Sequence, residues 1–284
     1  MTVAVGFVGL GNMGGQLAAN LVGRGHDVVA YDAAGPERTP PGGTYAPSVA
    51  DVARQADVVV FSLPDGKVSE LVARELVAAD GRTAHVVDTS TVGVTAARTV
   101  SGLLADAGIG YVDAPVSGGA AGAKARTLMV MYAGADDACA ATEEVLAGLS
   151  DRRRRVGDRP GLAQALKLAN NFLSATALAA TSEAVAFGMS AGLDMATMLD
   201  VLNASSGHSG ATADKFPNHV LTGSYSSGFL NSLMAKDVGL YLREAGEQGG
   251  ATALGAVTAA VWERFAAAEP GADFTRIFPF VEGS

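Results

Sequence analysis

The chain has 284 residues, of which 20 are Lys or Arg and 29 are Asp or Glu, so its formal net charge is −9. A hydrophobic content of 49% excludes a disordered polymer, and the length is sufficient for two domains with a sizeable core. The acidic balance excludes a nucleic-acid-binding surface, which requires clustered basic side chains. The basic run 152–155 is flanked by acidic residues, and we interpret it as a solvated edge strand.

Cysteine content and hydropathy indicate a cytoplasmic protein. The single Cys139 forms no internal disulfide, and the four histidines share no ligand spacing, so we expect a reducing compartment and no metal site. The longest apolar stretch, 162–189, is interrupted by Lys167, two asparagines and Glu183, so we expect no membrane span. The N-terminus begins with a strand-like run and lacks the features of a signal peptide.

Short β-branched runs alternate with Ala- and Leu-rich stretches through the first half of the chain. This alternation predicts βα units and a mostly parallel sheet, and therefore an α/β domain over residues 1–160. The predicted strands are 3–8, 27–31, 58–63, 85–88, 110–112 and 128–132.

The pattern becomes helical in the second half. Apolar side chains recur at three- and four-residue steps over 162–189, which predicts one helix of about 28 residues, roughly 42 Å long. Further helices are predicted at 195–202, 233–245 and 254–267, so residues 161–284 are expected to form an all-α domain. The Arg-Pro-Gly sequence at 159–161 is the predicted hinge.

A glycine-rich turn joins the first predicted strand to a helix. Residues 8–15 read Val-Gly-Leu-Gly-Asn-Met-Gly-Gly, with the spacing and context of the dinucleotide-binding fingerprint. Gly9 makes the tight turn, Gly11 lets the backbone approach a pyrophosphate, and Gly14 lets helix and strand pack closely. The remaining predicted cofactor-binding residues of the turn are Leu10, Asn12 and Met13.

Asp32 ends the second predicted strand. A carboxylate there accepts hydrogen bonds from the adenosine ribose hydroxyls and repels a 2′-phosphate, which predicts NAD rather than NADP. Arg38 lies nearby and leaves NADP possible. Leu63-Pro64 and Thr91 follow the next two predicted strands, at the sheet edge where open α/β sheets bind ligands. We predict that they contact the cofactor, and the alternative interpretation is that each is an ordinary loop.

The segment 113–123, Asp-Ala-Pro-Val-Ser-Gly-Gly-Ala-Ala-Gly-Ala, predicts a cradle for a small carboxylate. Its proline fixes the backbone, while Gly118 and Gly119 leave N–H groups uncovered beside the Ser117 hydroxyl. A flexible loop is the alternative interpretation.

Lys167, Asn171 and Ser174 share one face of the long predicted helix, which is otherwise apolar. An ammonium there can exchange a proton with a substrate hydroxyl. A solvated surface lysine is the alternative, but the neighbouring asparagines favour a functional role.

These motifs together resemble those of the β-hydroxyacid dehydrogenase family, typified by 3-hydroxyisobutyrate dehydrogenase. The matching segments are 9–14, 113–119, 161–171 and 236–237, and the match stays in register from residue 3 to 273–275. The resemblance implies an N-terminal Rossmann domain, an all-α C-terminal domain joined through the long helix, and an active site in the cleft. Two positions depart from the family pattern, since Ala163 and Arg126 stand where glycine is usual.

The resemblance also implies residue roles. Lys167 would be the catalytic lysine, assisted by Asn171 and Ser117, and Lys236 would lie near the cofactor. The residues implied to hold substrate are Ser117, Gly118, Gly119 and Asn171. We expect Ala163 to tighten helix packing, and Arg126 either to point to solvent or to add a cation near the substrate loop.

The sequence thus predicts an NAD-dependent oxidoreductase that transfers a hydride between the cofactor and a small β-hydroxyacid or its semialdehyde or keto form. One alternative is an imine or other carbonyl reductase on the same scaffold, although related imine reductases usually lack the lysine. The other is a non-catalytic dinucleotide-sensing module. The long apolar helix further predicts a homodimer or higher oligomer, assembled through the helical half. The expected partner is a small-molecule carboxylate, with neither nucleic acid nor membrane.

Overall fold

The computed structural model describes residues 3–283. They belong to two compact units that divide between Lys167 and Leu168. The sequence placed the division at residues 160 and 161. The structural division falls later because the first turn of the long helix, including the fully buried Ala163 and Gln164, packs within the N-terminal unit.

The N-terminal unit is built on a nine-stranded sheet of order β3-β2-β1-β4-β5-β6-β8-β7, with β9 beside β8. Neighbouring strands from β3 to β6 along this order are parallel, whereas β8 is antiparallel to β6 and β7. The strands are β1 (Val5–Val8), β2 (Val28–Tyr31), β3 (Thr44–Tyr45), β4 (Val58–Phe61), β5 (His85–Asp88), β6 (Gly110–Asp113), β7 (Val116–Ser117), β8 (Met129–Ala133) and β9 (Arg152–Gly157). This strand order is that of a Rossmann domain and confirms the predicted fold class.

Helices cover the sheet and bury its apolar side chains in separate clusters. One cluster contains Phe7, Leu17 and Leu128, and another contains Phe61 and Leu76. Strands buried in this way read as continuous Val-rich runs, which is why their sequences were recognisable. The helices of this unit are α1 (Gly14–Gly23), α2 (Val49–Gln55), α3 (Gly66–Ala78), α4 (Val94–Ala105), α5 (Gly119–Lys124), α6 (Asp136–Ala141) and α7 (Glu143–Leu149).

The basic run forms the exposed strand β9, as predicted. Arg153 pairs with Glu143 at 2.6 Å, and Arg155 pairs with Asp136 at 2.5 Å. Acidic side chains of the preceding helices therefore neutralise part of this run.

The C-terminal unit is mostly helical, which confirms the second half of the predicted architecture. Its helices are the main part of α8 (Leu162–Ser190), α9 (Met195–Asn203), α10 (Asn231–Glu247), α11 (Ala253–Ala268) and α12 (Ile277–Glu282). A π-helical segment, Ala211–Val220, contains Pro217 and was not predicted. Short 3₁₀ turns occur at Pro36–Arg38 and Phe274–Arg276.

Aromatic side chains pack around α8 in the core of the C-terminal unit. Trp262 is fully buried, and its indole N–H donates to the Ala175 carbonyl at 3.2 Å. Tyr225 and Phe229 pack against the same core. By length and composition alone α8 could cross a membrane, with a mean hydropathy of 1.3 over 18 residues. A buried core helix passes the same test, so this is weak evidence of a span.

Candidate active site

The glycine-rich turn between β1 and α1 has the shape that its sequence requires. Gly9 has a φ of +94°, and a Cβ there would collide with the Ser62 carbonyl oxygen. A Cβ on Gly14 would collide with the Gly9 carbonyl oxygen. By contrast, a Cβ built on Gly11 would meet no heavy atom within 4 Å. The turn therefore faces open space at the residue where a pyrophosphate is expected to approach.

A cavity of about 570 Å³ opens beside this turn. Its lining combines the turn and the start of α1 with two cations, Arg38 and Lys124. The lining residues are Leu10, Gly11, Asn12, Gly15, Gln16, Arg38, Ala120, Ala121 and Lys124. A dinucleotide brings a negatively charged pyrophosphate, so this cationic, glycine-walled cavity fits such a cofactor. Lys124 was not singled out from the sequence, because α5 reaches the turn only through the fold.

Asp32 supports the turn from the end of β2. Its Oδ2 accepts the Leu10 N–H at 2.5 Å, and its Oδ1 accepts the Ala34 N–H at 2.8 Å. Arg38 Nη1 lies 3.8 Å from Oδ1. The carboxylate is buried, so Asp32 fixes the backbone of the turn in addition to placing a negative charge beside Arg38.

The predicted cofactor loops after β4 and β5 are joined to each other. The Leu63 N–H donates to Ser90 Oγ at 2.8 Å, and the Ser90 N–H donates to Asp88 Oδ1 at 2.9 Å. The strands β4 and β5 are neighbours and run parallel, so the loops that follow them lie at one edge of the sheet. These loops contain the predicted residues Leu63, Pro64 and Thr91. This is the edge where ligands of open α/β sheets bind.

Gln164, in the first turn of α8, is held at the same edge. Its Nε2 donates to the Ser90 carbonyl at 3.0 Å, and its Oε1 accepts the N–H groups of Val92 and Gly93 at 3.0 and 3.2 Å. Its own backbone N–H donates to Asp113 Oδ2 at 3.0 Å. The sequence motif included Gln164 without a role. These contacts bridge segments more than 50 residues apart in the chain.

Two buried carboxylates lie side by side beneath this edge. Asp88 and Asp113 end the neighbouring strands β5 and β6 and are paired in register. Burial raises the pKa of the Asp113 carboxyl to about 7, and burial also raises the pKa of Asp88. The Tyr111 hydroxyl donates to Asp88 Oδ2 at 3.3 Å.

The predicted substrate segment forms β7 and α5 rather than an irregular loop. Ser117 ends β7, and Gly118 and Gly119 follow it with φ values of +135° and +67°. Asn20 Nδ2 donates to the Ala123 carbonyl at 2.9 Å and thereby fixes α5 to α1. The Ser-Gly-Gly sequence is thus attached to the element that carries the cofactor turn.

Lys167 lies one turn after Gln164 on α8 and is only 6% exposed, so the alternative of a solvated surface lysine is wrong. Asn171 belongs to the C-terminal unit and is also buried. Its Nδ2 donates to Asp237 Oδ2 at 2.6 Å. Lys236 Nζ lies 3.2 Å from Asp237 Oδ1.

Arg126 serves neither of the purposes that the sequence suggested. Its guanidinium donates to the carbonyls of Gly148 and Ala147 at 2.6 and 3.0 Å, and it pairs with Asp151 at 3.0 Å. The side chain is 19% exposed. Arg126 therefore caps the C-terminus of α7, where a cation interacts favourably with the helix dipole.

Across residues 3–283, no group of three or more His, Cys, Asp or Glu side chains could hold a metal ion. Cys139 is buried and unpaired, and burial raises the pKa of its thiol. The described cysteine is thus poorly suited to act as a nucleophile.

Two family models match successive parts of the chain. Residues 4–157 match the NAD binding domain of 6-phosphogluconate dehydrogenase. Residues 161–281 match a model described as NAD-binding of NADP-dependent 3-hydroxyisobutyrate dehydrogenase. Together the models span both structural units.

Named relatives agree with these models. The chain is 34% identical to the 3-hydroxyisobutyrate dehydrogenase of Pseudomonas aeruginosa, with 98% of each chain covered. It is also 34% identical to the 2-(hydroxymethyl)glutarate dehydrogenase of Eubacterium barkeri, over 87% of this chain and 84% of the relative.

Solved structures show the same relationship. The 3-hydroxyisobutyrate dehydrogenase of Mycobacterium tuberculosis, solved with L-serine, superimposes with a TM-score of 0.92 at 32% identity, covering 99% of both chains. An imine reductase from Pseudomonas sp. superimposes with a TM-score of 0.63 at 20% identity, covering 98% of this chain and 99% of the other, and shares the fold alone. The chain therefore belongs to the 3-hydroxyisobutyrate dehydrogenase family of β-hydroxyacid dehydrogenases.

Proposed function

We propose that the protein is an NAD-dependent dehydrogenase of small β-hydroxyacids in which Lys167 exchanges the hydroxyl proton. Its family membership makes it a nicotinamide-dependent oxidoreductase of β-hydroxyacids. The observation that carries the role of Lys167 is its burial one helical turn after Gln164, which is bonded to the ligand-binding edge of the sheet. Burial of a lysine side chain costs folding free energy, so the burial of Lys167 favours a functional role for it.

Each group of residues has a distinct part in this proposal. The nicotinamide cofactor, when bound, supplies the carbon that accepts or returns the hydride. The glycine turn and the start of α1 bind the pyrophosphate. The Ser117 hydroxyl and the backbone N–H groups of Gly118 and Gly119 bind the substrate carboxylate. Asn171 orients the hydroxyl, and Lys167 removes its proton during oxidation and returns it during reduction.

We propose NAD as the preferred cofactor because the Asp32 carboxylate stands beside the turn, where it disfavours a 2′-phosphate. Arg38 and Lys124 give the cavity a positive charge that favours phosphate groups. We therefore expect NADP to bind as well, with lower kcat/KM.

The named relatives support a narrower substrate class. In 3-hydroxyisobutyrate and in 2-(hydroxymethyl)glutarate, a hydroxymethyl group is bonded directly to the carbon that bears a carboxylate. L-Serine, present in the solved relative, has the same arrangement. We therefore propose that the substrate is a 2-substituted 3-hydroxypropanoate. The Ser-Gly-Gly cradle would hold its carboxylate and leave the hydroxymethyl group for Lys167.

Replacement of Lys167 tests this function. Lys167→Ala is expected to lower kcat by about 10² to 10⁴, the loss typical of a missing general acid–base, while the Kd for NADH stays nearly constant. Lys67→Ala, at an exposed position on α3, is the matched control. Turnover near the wild-type rate in Lys167→Ala would contradict the mechanism.

The wild-type protein distinguishes the alternative functions. If it binds NADH but turns over no hydroxyacid, the sensing module is favoured. If it reduces cyclic imines and no hydroxyacid or its carbonyl form, the imine reductase is favoured.

We also propose that the protein is a cytoplasmic homodimer that pairs through α8. The apolar side chains of Leu166, Leu173 and Phe187 are exposed and recur at multiples of seven residues, so they form one stripe along the helix. Trp262 covers a different face of the same helix. A second copy of α8 is the partner whose apolar pattern matches this stripe.

A further inference from the structure

Gln164 is a fully buried polar side chain in a helix that is otherwise largely apolar. Within residues 3–283, no hydrogen bond joins this side chain to the glycine turn or to the Ser-Gly-Gly sequence. Instead, its amide contacts the backbone of residues 90–93, the segment that follows β5. The side chain therefore binds a part of its own chain at the edge where the cofactor is expected.

The chemistry of these contacts requires an amide. Oε1 accepts from two backbone N–H groups, of Val92 and Gly93, while Nε2 donates to the Ser90 carbonyl. A carboxylate at this position would offer only acceptors, and an apolar side chain would offer neither kind of group. Loss of the amide would leave buried backbone groups unsatisfied, which costs folding free energy.

The backbone of the same turn is also fixed. The Gln164 N–H donates to Asp113 Oδ2 at 3.0 Å, so β6 binds the first turn of α8 while the loop after β5 binds its side chain. Ser90 in turn accepts the Leu63 N–H through its hydroxyl. The first turn of α8 is therefore connected to the ends of β4, β5 and β6.

The position of Lys167 depends on this hydrogen-bonded first turn of α8. It follows Gln164 by three residues, about 4.5 Å along the helix axis, and helical side chains tilt back toward the N-terminus. A shift of the first turn would displace the ammonium by a similar amount. Displacements of about 1 Å at a reacting group can cost about 10²-fold in rate.

We propose that Gln164 is a positioning residue for the catalytic reaction, which holds the first turn of α8 against residues 90–93 and thereby places Lys167 for proton transfer. This inference rests on the proposed function of Lys167. It assigns Gln164 no contact with substrate or cofactor.

A double-mutant cycle tests the inference. Gln164→Met is expected to lower kcat by about 10- to 100-fold and to change the Kd for NADH by less than about 2-fold. In a Lys167→Ala background the same substitution is expected to change the residual kcat by less than about 2-fold, because its effect passes through Lys167. Gln55→Met is the matched control, since Gln55 is exposed at the end of α2 and donates only to the nearby Asp51 carbonyl among its described bonds.

The outcomes separate this inference from the proposed function. If Gln164→Met lowers kcat by the same factor in the wild type and in the Lys167→Ala background, the positioning role is overturned. A wild-type kcat in the Gln164→Met single variant would also overturn it. High turnover in Lys167→Ala alone would instead overturn the proposed function. If Gln164→Met does not fold, Gln164→Glu enters the same cycle. When ionised, it keeps the acceptor for Val92 and Gly93 and loses the donor to Ser90, so the cycle is measured at alkaline pH, where the same dependence on Lys167 is expected.

Discussion

Asn171 donates its Nδ2 to Asp237 Oδ2 at 2.6 Å, and both side chains are buried. A carboxylate can only accept, so Asp237 determines which end of the Asn171 amide faces α10. The Asn171 Oδ1 accepts from Asn170 at 3.1 Å, which agrees with that orientation. A charge-assisted bond of this length is among the stronger hydrogen bonds in proteins.

Asp237→Asn should release the orientation of Asn171, because a second amide can either donate or accept. We expect the KM for the hydroxyacid to rise by about tenfold, equivalent to about 1.4 kcal/mol, with a smaller change in the Kd for NADH. Steady-state kinetics and NADH fluorescence measure the two effects. Asp200→Asn, on the exposed side of α9, is the control. An unchanged KM would show that Asn171 does not depend on Asp237.

We expect the preference between NAD and NADP to depend on two neighbouring side chains of opposite charge, Asp32 and Arg38. Asp32→Ser should narrow the preference for NAD over NADP by removing a repulsion against the 2′-phosphate. Arg38→Ala should widen it, because Arg38 lies 3.8 Å from Asp32 and lines the cavity. The ratio of kcat/KM for the two cofactors measures both effects. A wild-type preference for NADP would mean that Arg38 and Lys124 outweigh Asp32.

Most of the fold could be predicted from the sequence because its signals are local. Seven strands were predicted, six from short apolar runs and one from the basic run 152–155, and each overlaps an observed strand, while α8 coincides with an uninterrupted helical period. β3 and β7 were missed because two residues are too few for a pattern. The π-helical segment was missed because Pro217 normally ends a helix.

The candidate site was less predictable because its supporting contacts are long-range. The motif around Lys167 is local, whereas Gln164 meets residues 90–93 only after the sheet has formed. Arg126 shows the same limit, since the carbonyls that it binds belong to a helix about 20 residues later in the chain. The sequence offered two signals for Gln164, its polarity inside an apolar helix and its place in the family motif, and neither of them names the residues that it contacts.

Asp113 should make stability depend on pH near neutrality. Its pKa of about 7 in the folded protein exceeds the value of 3.8 for an unperturbed carboxyl, so the unfolded chain loses this proton first as pH rises. The contribution of Asp113 to stability is therefore present below about pH 4 and falls as pH rises to about 7, by up to about 1.4 kcal/mol per pH unit.

Asp113→Asn should remove this dependence while keeping an acceptor for the Gln164 N–H. Urea unfolding at pH 5 and pH 7.5 would give the free energy of unfolding of wild type and variant. We expect the variant to lose less stability than the wild type between the two pH values. Asp106→Asn, at an exposed position, is the control. Identical pH dependence of variant and wild type would contradict the elevated pKa.

Substitutions at Arg126 should separate backbone strain from helix capping. Arg126 has a φ of +59°, a conformation that glycine adopts without strain. Both Arg126→Gly and Arg126→Ala remove the guanidinium that caps α7. Only the glycine variant also relieves the backbone strain of the positive φ, which the alanine variant retains. We expect the alanine variant to be less stable than the glycine variant by about 1 kcal/mol, with kcat unchanged in both. Equal Tm values for the two variants would argue against strain at this position.

The apolar stripe of α8 provides the final prediction. Leu173 is 66% exposed and Phe187 is 75% exposed, and water contact of side chains this large is unfavourable. We expect the wild-type protein to have a mass of at least twice 28.5 kDa by light scattering coupled to size exclusion. Leu173→Glu and Phe187→Glu would each place a charge in the paired stripe and are expected to shift the protein toward the monomer with unchanged circular dichroism. Leu71→Glu, at a position 56% exposed on α3, is the control and should not change the mass. A wild-type mass near 28.5 kDa would refute pairing through α8 and would mean that this stripe remains in contact with water.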